Sequence, residues 1–243
     1  MKGTLIFIRQ LAYSIYTLVY YVGLGIDMSI RGFFLLTIGG RTPENKKKYH
    51  SILQRKSKFV INHVPGTTFS YINQQKESFA KPCMIISNHQ SQLDLMAIMM
   101  LSKKLIIITK KWVWNSPVLG AAVRYADYIP VSDSENISQA LAEKVKEGYS
   151  VMIFPEGTRS PDGQIGRFHR GAFYLAQILN LDIVPVYLDG FTDVMPKGSL
   201  FIRNGHMSLK VLPRIDNSVV EDAGYRLMAK NLHALYVKMS TET

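Results

Sequence analysis

The sequence predicts an α/β fold: a mainly parallel central sheet flanked by helices, with an added antiparallel hairpin and an N-terminal apolar helical hairpin. Three observations carry this expectation. From residue 82 onward, short apolar or β-branched runs alternate with segments of helical spacing, the pattern of successive βα units. Asn204-Gly205 stands between two such runs and is the strongest short hairpin signal. The first 40 residues are apolar and aromatic in a way that the rest of the chain is not. With 243 residues, 47% of them hydrophobic and 19% charged, there is ample material for one core of moderate size, and a disordered chain is excluded.

Leu11 to Ile26 carries no charge and contains Tyr13, Tyr16, Tyr20 and Tyr21. Asp27 and Arg31 interrupt it before a second apolar stretch from Gly32 to Gly40. Its 16 uncharged residues fall short of a spanning helix, and no small-x-small cleavage site follows. Two short aromatic segments suit a hairpin dipping into one leaflet; a helix pair packed on the protein's own core is the alternative. Arg41, Lys46, Lys47, Lys48, Arg55, Lys56 and Lys58 follow, a stretch suited to anionic headgroups or to a solvated helix face. The expected organisation is a membrane-associating segment over 1–40 and an α/β domain over 41–243.

Within that domain, Pro82–Ser87 reads as a buried strand, Leu93–Leu101 as a buried helix and Leu105–Thr109 as a β-branched strand. Ser116–Tyr125 opens with a capping serine and Pro117 at the first helical position. Tyr128–Val131 is a short strand. Ile137, Ala140, Leu141 and Val145 keep helical spacing until Gly148 closes the helix. Val151–Phe154 and Ile183–Leu188 read as strands, with a helix over Gly171–Leu179 between them. Ser199–Arg203 and His206–Leu212 form the expected hairpin, and Glu221–Met239 a final amphipathic helix.

The charge balance, 29 basic against 18 acidic residues for a net +11, calls for an anionic partner. Nucleic acid is not expected, since no recognised motif for it appears and the basic residues cluster beside apolar segments. The single cysteine, Cys83, excludes an internal disulfide framework and cysteine-rich metal sites. His50, His63, His89, His169, His206 and His233 form no paired ligand motif, so neither a metal nor a resident cofactor is expected.

Active sites of open α/β sheets gather at the carboxyl ends of strands. After Pro82–Ser87 comes Asn88-His89-Gln90-Ser91-Gln92-Leu93-Asp94. Asp94 can fold back to accept a hydrogen bond from one His89 nitrogen and leave the other as a base; a polar loop histidine with a capping aspartate is the bland alternative. After Val151–Phe154 comes Pro155-Glu156-Gly157-Thr158-Arg159-Ser160, which places a carboxylate, a flexible backbone, a hydroxyl and a phosphate-matching guanidinium at the same edge. A structural turn with a Glu–Arg ion pair would leave the same trace. Arg167 and Arg170 lead into a helix start, where an anion is favoured; surface charge indifferent to the helix is the alternative. Pro185 within Ile183–Val186 suits an edge strand or a substrate-lined wall, or ordinary core.

Together and in this order, these residues resemble the glycerolipid acyltransferase family. Asn88, His89 and Asp94 are similar to its Asn-His-x4-Asp block, and Phe154 to Ser160 match its Phe-Pro-Glu-Gly-Thr-Arg-Ser block in full. Val184-Pro185-Val186 looks like its Val-Pro strand, and His169-Arg170 before Gly171-Ala172 like its basic pair. The likeness covers roughly residues 80 to 215. It implies transfer of a fatty acyl group from acyl-CoA or acyl carrier protein, as cosubstrate, to a hydroxyl of a membrane lysolipid, most simply 1-acylglycerol-3-phosphate. His89 would be the base and Asp94 its orienter, with oxyanion donors among the amides at the next helix start. Glu156, Gly157, Thr158, Arg159, Arg167 and Arg170 would bind the acceptor. Ser132 stands where the family's second block usually has an arginine, which opens the acceptor to others such as a lyso-aminolipid. A silent membrane-surface protein on the same fold is the alternative. The expected location is the cytoplasmic face of the cell membrane, monotopic.

Overall fold

The computed structural model describes residues 2–131, 137–199 and 201–242. Its centre is a seven-stranded sheet of order β1-β7-β6-β2-β5-β3-β4. The strands are β1 (Thr67–Ile72), β2 (Cys83–Ser87), β3 (Leu105–Lys110), β4 (Ile129–Val131), β5 (Ser150–Ile153), β6 (Asp182–Asp189) and β7 (Gly205–Val211). Every neighbouring pair is parallel except β6 and β7. The helices are α1 (Lys2–Gly32), α2 (Pro43–Asn62), α3 (Leu93–Met99), α4 (Lys111–Trp114), α5 (Gly120–Tyr125), α6 (Ile137–Lys146), α7 (Gly171–Ile178), α8 (Phe191–Val194) and α9 (Asn217–Thr241). The α/β sheet expected from the sequence is therefore present, and β2 is buried along its whole length because both faces are covered.

Side-chain alternation along β2 separates two cores. Cys83 and Ile85 join Leu24, Met28, Tyr49 and Ile98 on the face covered by α1, α2 and α3. Met84 and Ile86 join Leu141, Phe173, Leu232 and Tyr236 on the face covered by α6, α7 and α9. Register sets the site: Ser87 at the end of β2 lies opposite Val186 of β6, and Ile86 opposite Ile153 at the end of β5. The segments following β2 and β5 thus leave the sheet side by side.

Two expectations are corrected. The N-terminal apolar segment is no hairpin: α1 runs on through Asp27 and Arg31 into a π-helical turn at Phe33–Ile38. The two charges stop nothing, because Arg31 pairs with Asp27 one turn away at 3.0 Å and Lys56 of α2 caps the pair at 3.0 Å. The resulting helical stretch Ile6–Ile38, 33 residues containing an 18-residue window of mean hydropathy 1.4, is long and apolar enough to cross a bilayer. Asn204-Gly205 makes no hairpin either. Neither residue has the positive φ that a type I′ turn needs, and residues 201–204 are unpaired with any strand. The antiparallel pair is β6 with β7, joined through α8.

Smaller differences follow from local chemistry. β1 and α2 are absent from the sequence reading. Thr42 caps α2 by accepting from the Asn45 amide at 3.2 Å, and Pro43 occupies its first turn. The expected helix Ser116–Tyr125 forms only from Gly120, after a turn in which the Ser116 hydroxyl accepts from the Leu119 amide. Pro185 is ordinary core, since β6 lies inside the sheet and is buried there. Ser132 lies outside the described residues.

Candidate functional site

The site begins where β2 ends. Asn88 extends the sheet by one rung with its side chain: its Nδ2 donates to the Leu188 carbonyl at 2.8 Å and its Oδ1 accepts from the Leu188 amide at 2.8 Å. The chain then turns, and His89 Nδ1 donates to Asp94 Oδ2 at 2.8 Å. The same oxygen accepts from the amides of Gln90, at 2.5 Å, and Ser91, at 2.8 Å. A carboxylate oxygen holding three donors fixes the tautomer, so Nδ1 carries the hydrogen and Nε2 keeps its lone pair. Asp94 is fully buried while the His89 side chain keeps 17% of its exposure, enough for a reactant to reach one edge of the ring. Burial pushes the Asp94 carboxyl up from its ordinary range, and the hydrogen bonds from His89 and the two amides pull against it. The Gln90 and Ser91 amides, just before the helix start, are thus turned inward onto the aspartate.

The segment after β5 clamps this histidine from the other side. The Phe154 ring stacks on the His89 ring, centroids 3.8 Å apart and planes 9° from parallel. The Ser160 amide donates to the His89 carbonyl at 2.8 Å. Glu156 is buried, and both of its oxygens are engaged: Oε1 accepts from the His89 amide and Oε2 from the Gly166 amide, each at 2.9 Å. Burial raises the Glu156 carboxyl and these two amides oppose the rise. Expected among the acceptor-binding residues, Glu156 instead ties the two loops together and offers no oxygen outward. A Cβ at Gly166 would stand 2.8 Å from Glu156 Oε2, so any larger residue there would push on this carboxylate. Gly157 turns with φ +67°, a left-handed conformation that favours glycine, with the His169 ring 3.7 Å from where a Cβ would stand.

The remaining expected residues are outward. Thr158 is exposed and Arg159 half-buried; Arg167 and Arg170 are exposed, with no ion pair fixing either side chain among the described residues. The 167–170 segment is held over the first by the His169 amide, which donates to the Pro155 carbonyl at 2.8 Å. Lys197, which the sequence reading passed over, reaches Thr158 and the Arg159 carbonyl. Its Pro-Lys-Gly setting carries no signal of this. Beside the site, Leu18 and Tyr21 of α1 face Gln92, Leu93, Met195 and Ile202 across a cleft. Among the described residues no group of three His, Cys, Asp or Glu side chains stands together in a way that would hold a metal.

A positioned base beside a group of cations is the arrangement for deprotonating a hydroxyl on an anionic molecule. The family model named Acyltransferase matches residues 68–189 of this chain. A 1-acyl-sn-glycerol-3-phosphate acyltransferase, BAT2, from the chloroplast of Brassica napus is 38% identical over 136 residues, 54% of this chain and 39% of that protein. The chain therefore spans well under half the length of that relative. The human 1-acyl-sn-glycerol-3-phosphate acyltransferase beta is 31% identical over 207 residues, 82% of this chain and 72% of that one. In fold, the crystal structure of the 1-acyl-sn-glycerophosphate acyltransferase PlsC from Thermotoga maritima matches with a TM-score of 0.80, covering 97% of this chain and 96% of that one at 22% identity.

Proposed function

The chain belongs to the acyltransferase family, and from that membership we propose that it acylates the free hydroxyl of 1-acylglycerol-3-phosphate to give phosphatidic acid. The acyl group comes from a thioester of coenzyme A or acyl carrier protein. The observation that carries this reading is the His89–Asp94 pair at the end of β2, clamped by the loop from Phe154 to Ser160. The acceptor hydroxyl is the nucleophile. As its oxygen attacks the thioester carbonyl, His89 Nε2 takes its proton, and the new C–O bond forms a tetrahedral intermediate. Collapse breaks the C–S bond, and the imidazolium returns the proton to the departing sulfur. Asp94 stabilises the imidazolium between these steps, the triad logic with the substrate in place of a serine. Arg159, Arg167 and Arg170 supply the positive field for the acceptor's phosphate.

α1 and the π-helical turn that continues it support a membrane setting for this chemistry. Phe7, Ile8, Tyr16, Val19, Phe34 and Ile38 are each at least half exposed, an apolar face that a lipid surface would cover. In this reading the chain rests on the cytoplasmic face of the membrane, with its acceptor drawn from the lipid.

The test is transfer of labelled palmitate from palmitoyl-CoA and from palmitoyl-acyl carrier protein to a panel of lysolipids, including 1-acylglycerol-3-phosphate and lyso-aminolipids. Phosphatidic acid should be the main product, and His89→Ala should lower kcat by about 10⁴-fold. Undiminished transfer by His89→Ala removes the catalytic assignment. Vesicle binding by the wild-type protein without transfer to any acceptor removes the enzymatic reading.

A further inference from the structure

The ammonium of Lys197 is the cation that the site contains and the sequence motifs do not. It sits in the connection between α8 and β7, exposed to solvent, and donates to Thr158 Oγ1 at 3.2 Å and to the Arg159 carbonyl at 2.9 Å. The chain on either side of it is anchored at three points. The Met195 carbonyl accepts from Ser91 Oγ at 2.8 Å, two residues beyond His89. The Arg203 amide donates to the Val194 carbonyl at 2.9 Å, and the Ile202 amide donates to Ser14 Oγ of α1 at 2.9 Å. The reach of this lysine toward the loop after β5 is therefore preset, which reduces the entropy lost when a ligand is held there.

Charge gives the arrangement its meaning. Arg41, Lys46 and Lys144, elsewhere in the molecule, each have a carboxylate partner in Asp127. Lys197 and Arg159 have no carboxylate within 4.0 Å among the described residues, although one is hydrogen-bonded to the backbone of the other. Two of the three ammonium hydrogens go to neutral oxygens and the third is unspent. Thr158 Oγ1, having accepted from the lysine, still has its own hydrogen to donate. Two uncompensated cations and a hydroxyl donor around one loop fit a compact dianion.

We propose that Lys197 is a specificity-determining residue of the acceptor site, which with Arg159 and Thr158 holds the acceptor's phosphate monoester and so selects phosphorylated over neutral lysolipids. This rests on the acyl-transfer reading given above. Because coenzyme A and the acyl carrier prosthetic group also bear phosphate, separate KM values for donor and acceptor distinguish the two sources.

The experiment measures turnover of 1-oleoylglycerol-3-phosphate and of 1-oleoylglycerol with palmitoyl-CoA, for the wild-type protein, Lys197→Ala and Lys197→Arg. Losing one charge-assisted contact should raise the phosphorylated acceptor's KM in Lys197→Ala by about 10-fold, with kcat within about twofold and the donor's KM unchanged. The preference for the phosphorylated over the neutral acceptor should shrink by about the same 10-fold factor, and Lys197→Arg should stay within about threefold of wild type. An unchanged acceptor KM overturns the proposal. So does a fall in kcat alone shared by both variants, which marks a mere prop for the loop, or a rise confined to the donor's KM. Absence of turnover by the wild-type protein is a separate result: it sinks the acyl-transfer reading, and this inference with it.

Discussion

Asp94 and Asp127 each gather three donors, and the contrast between them separates the carboxylate of the proposed site from a structural one. Asp127 faces Arg41, Lys46 and Lys144, linking α2, α6 and the segment before β4. Burial alone would raise its carboxyl, but the hydrogen bonds of Lys46 and Lys144 and the nearby positive charges outweigh it and hold the group below its usual range. Its charge is already overcompensated. Asp94 is held by two uncharged amides and a histidine that is neutral until it takes a proton. Burial dominates there, and the carboxyl rises. A charge stabilised by dipoles in a dry place remains available to an imidazolium when one forms, whereas a charge already shared among three cations does not.

The sharpest way to break this comparison is to remove the two charges in turn. Asp94→Asn keeps the shape but loses the acceptor that fixes the His89 tautomer, so kcat should fall by about 10³-fold with the fold intact, read by steady-state kinetics beside circular dichroism. A smaller effect is expected from His50, buried close to Asp127 among Tyr49, Tyr128 and Tyr149. Burial pushes its imidazole down from 6.5 to about 4, and the Asp127 charge only partly resists. The folded protein thus keeps His50 neutral where the unfolded chain protonates it. Its contribution is complete above the unfolded pKa and is lost as pH falls from about 6.5 to about 4, up to about 3 kcal/mol in all. Urea unfolding at pH 7 and pH 4.5 should show this loss, and His50→Gln should remove that part of it. The smallest effect is that of Asp127→Asn, which leaves three cations facing one another. It should cost on the order of 1–2 kcal/mol of stability and leave acyl transfer unchanged. Loss of activity without loss of stability would erase the distinction between the two aspartates.

Much of this was legible in the chain itself. β2, β3, β5 and β6 announce themselves because they are buried on both faces and so read as continuous apolar runs. His89, Asp94 and the Phe154–Ser160 stretch follow such strands directly, so strand position alone brings them to one edge. β1 was missed because Thr67–Ile72 is half polar and half-buried, pairing only with β7 at the sheet's rim. Asp27 and Arg31 misled because a charge pair one turn apart reads as an interruption in a hydropathy pattern and as a stabilising contact on a helix. Asn204-Gly205 misled because the dipeptide records a local preference that the anchoring of Ile202 to Ser14, 188 residues away, overrides. Glu156 looked outward in sequence because nothing local shows that its two partners are amides at positions 89 and 166.

The strap from Glu156 to His89 also dictates an order of assembly. Aspartate and histidine are five residues apart and meet within one turn, so their bond needs only the first βα unit. The glutamate is 67 residues from the backbone it holds, and Ser160 is further still. Neither can engage before β5 has found its slot between β2 and β3, a non-local pairing that closes a long loop. The His89–Asp94 pair can therefore form early in a nascent chain, before the stacked ring and the buried carboxylate that immobilise it are in place. The imidazole becomes rigid only when the middle of the sheet is complete, so in the proposed reaction the base would be ready only once the core has formed.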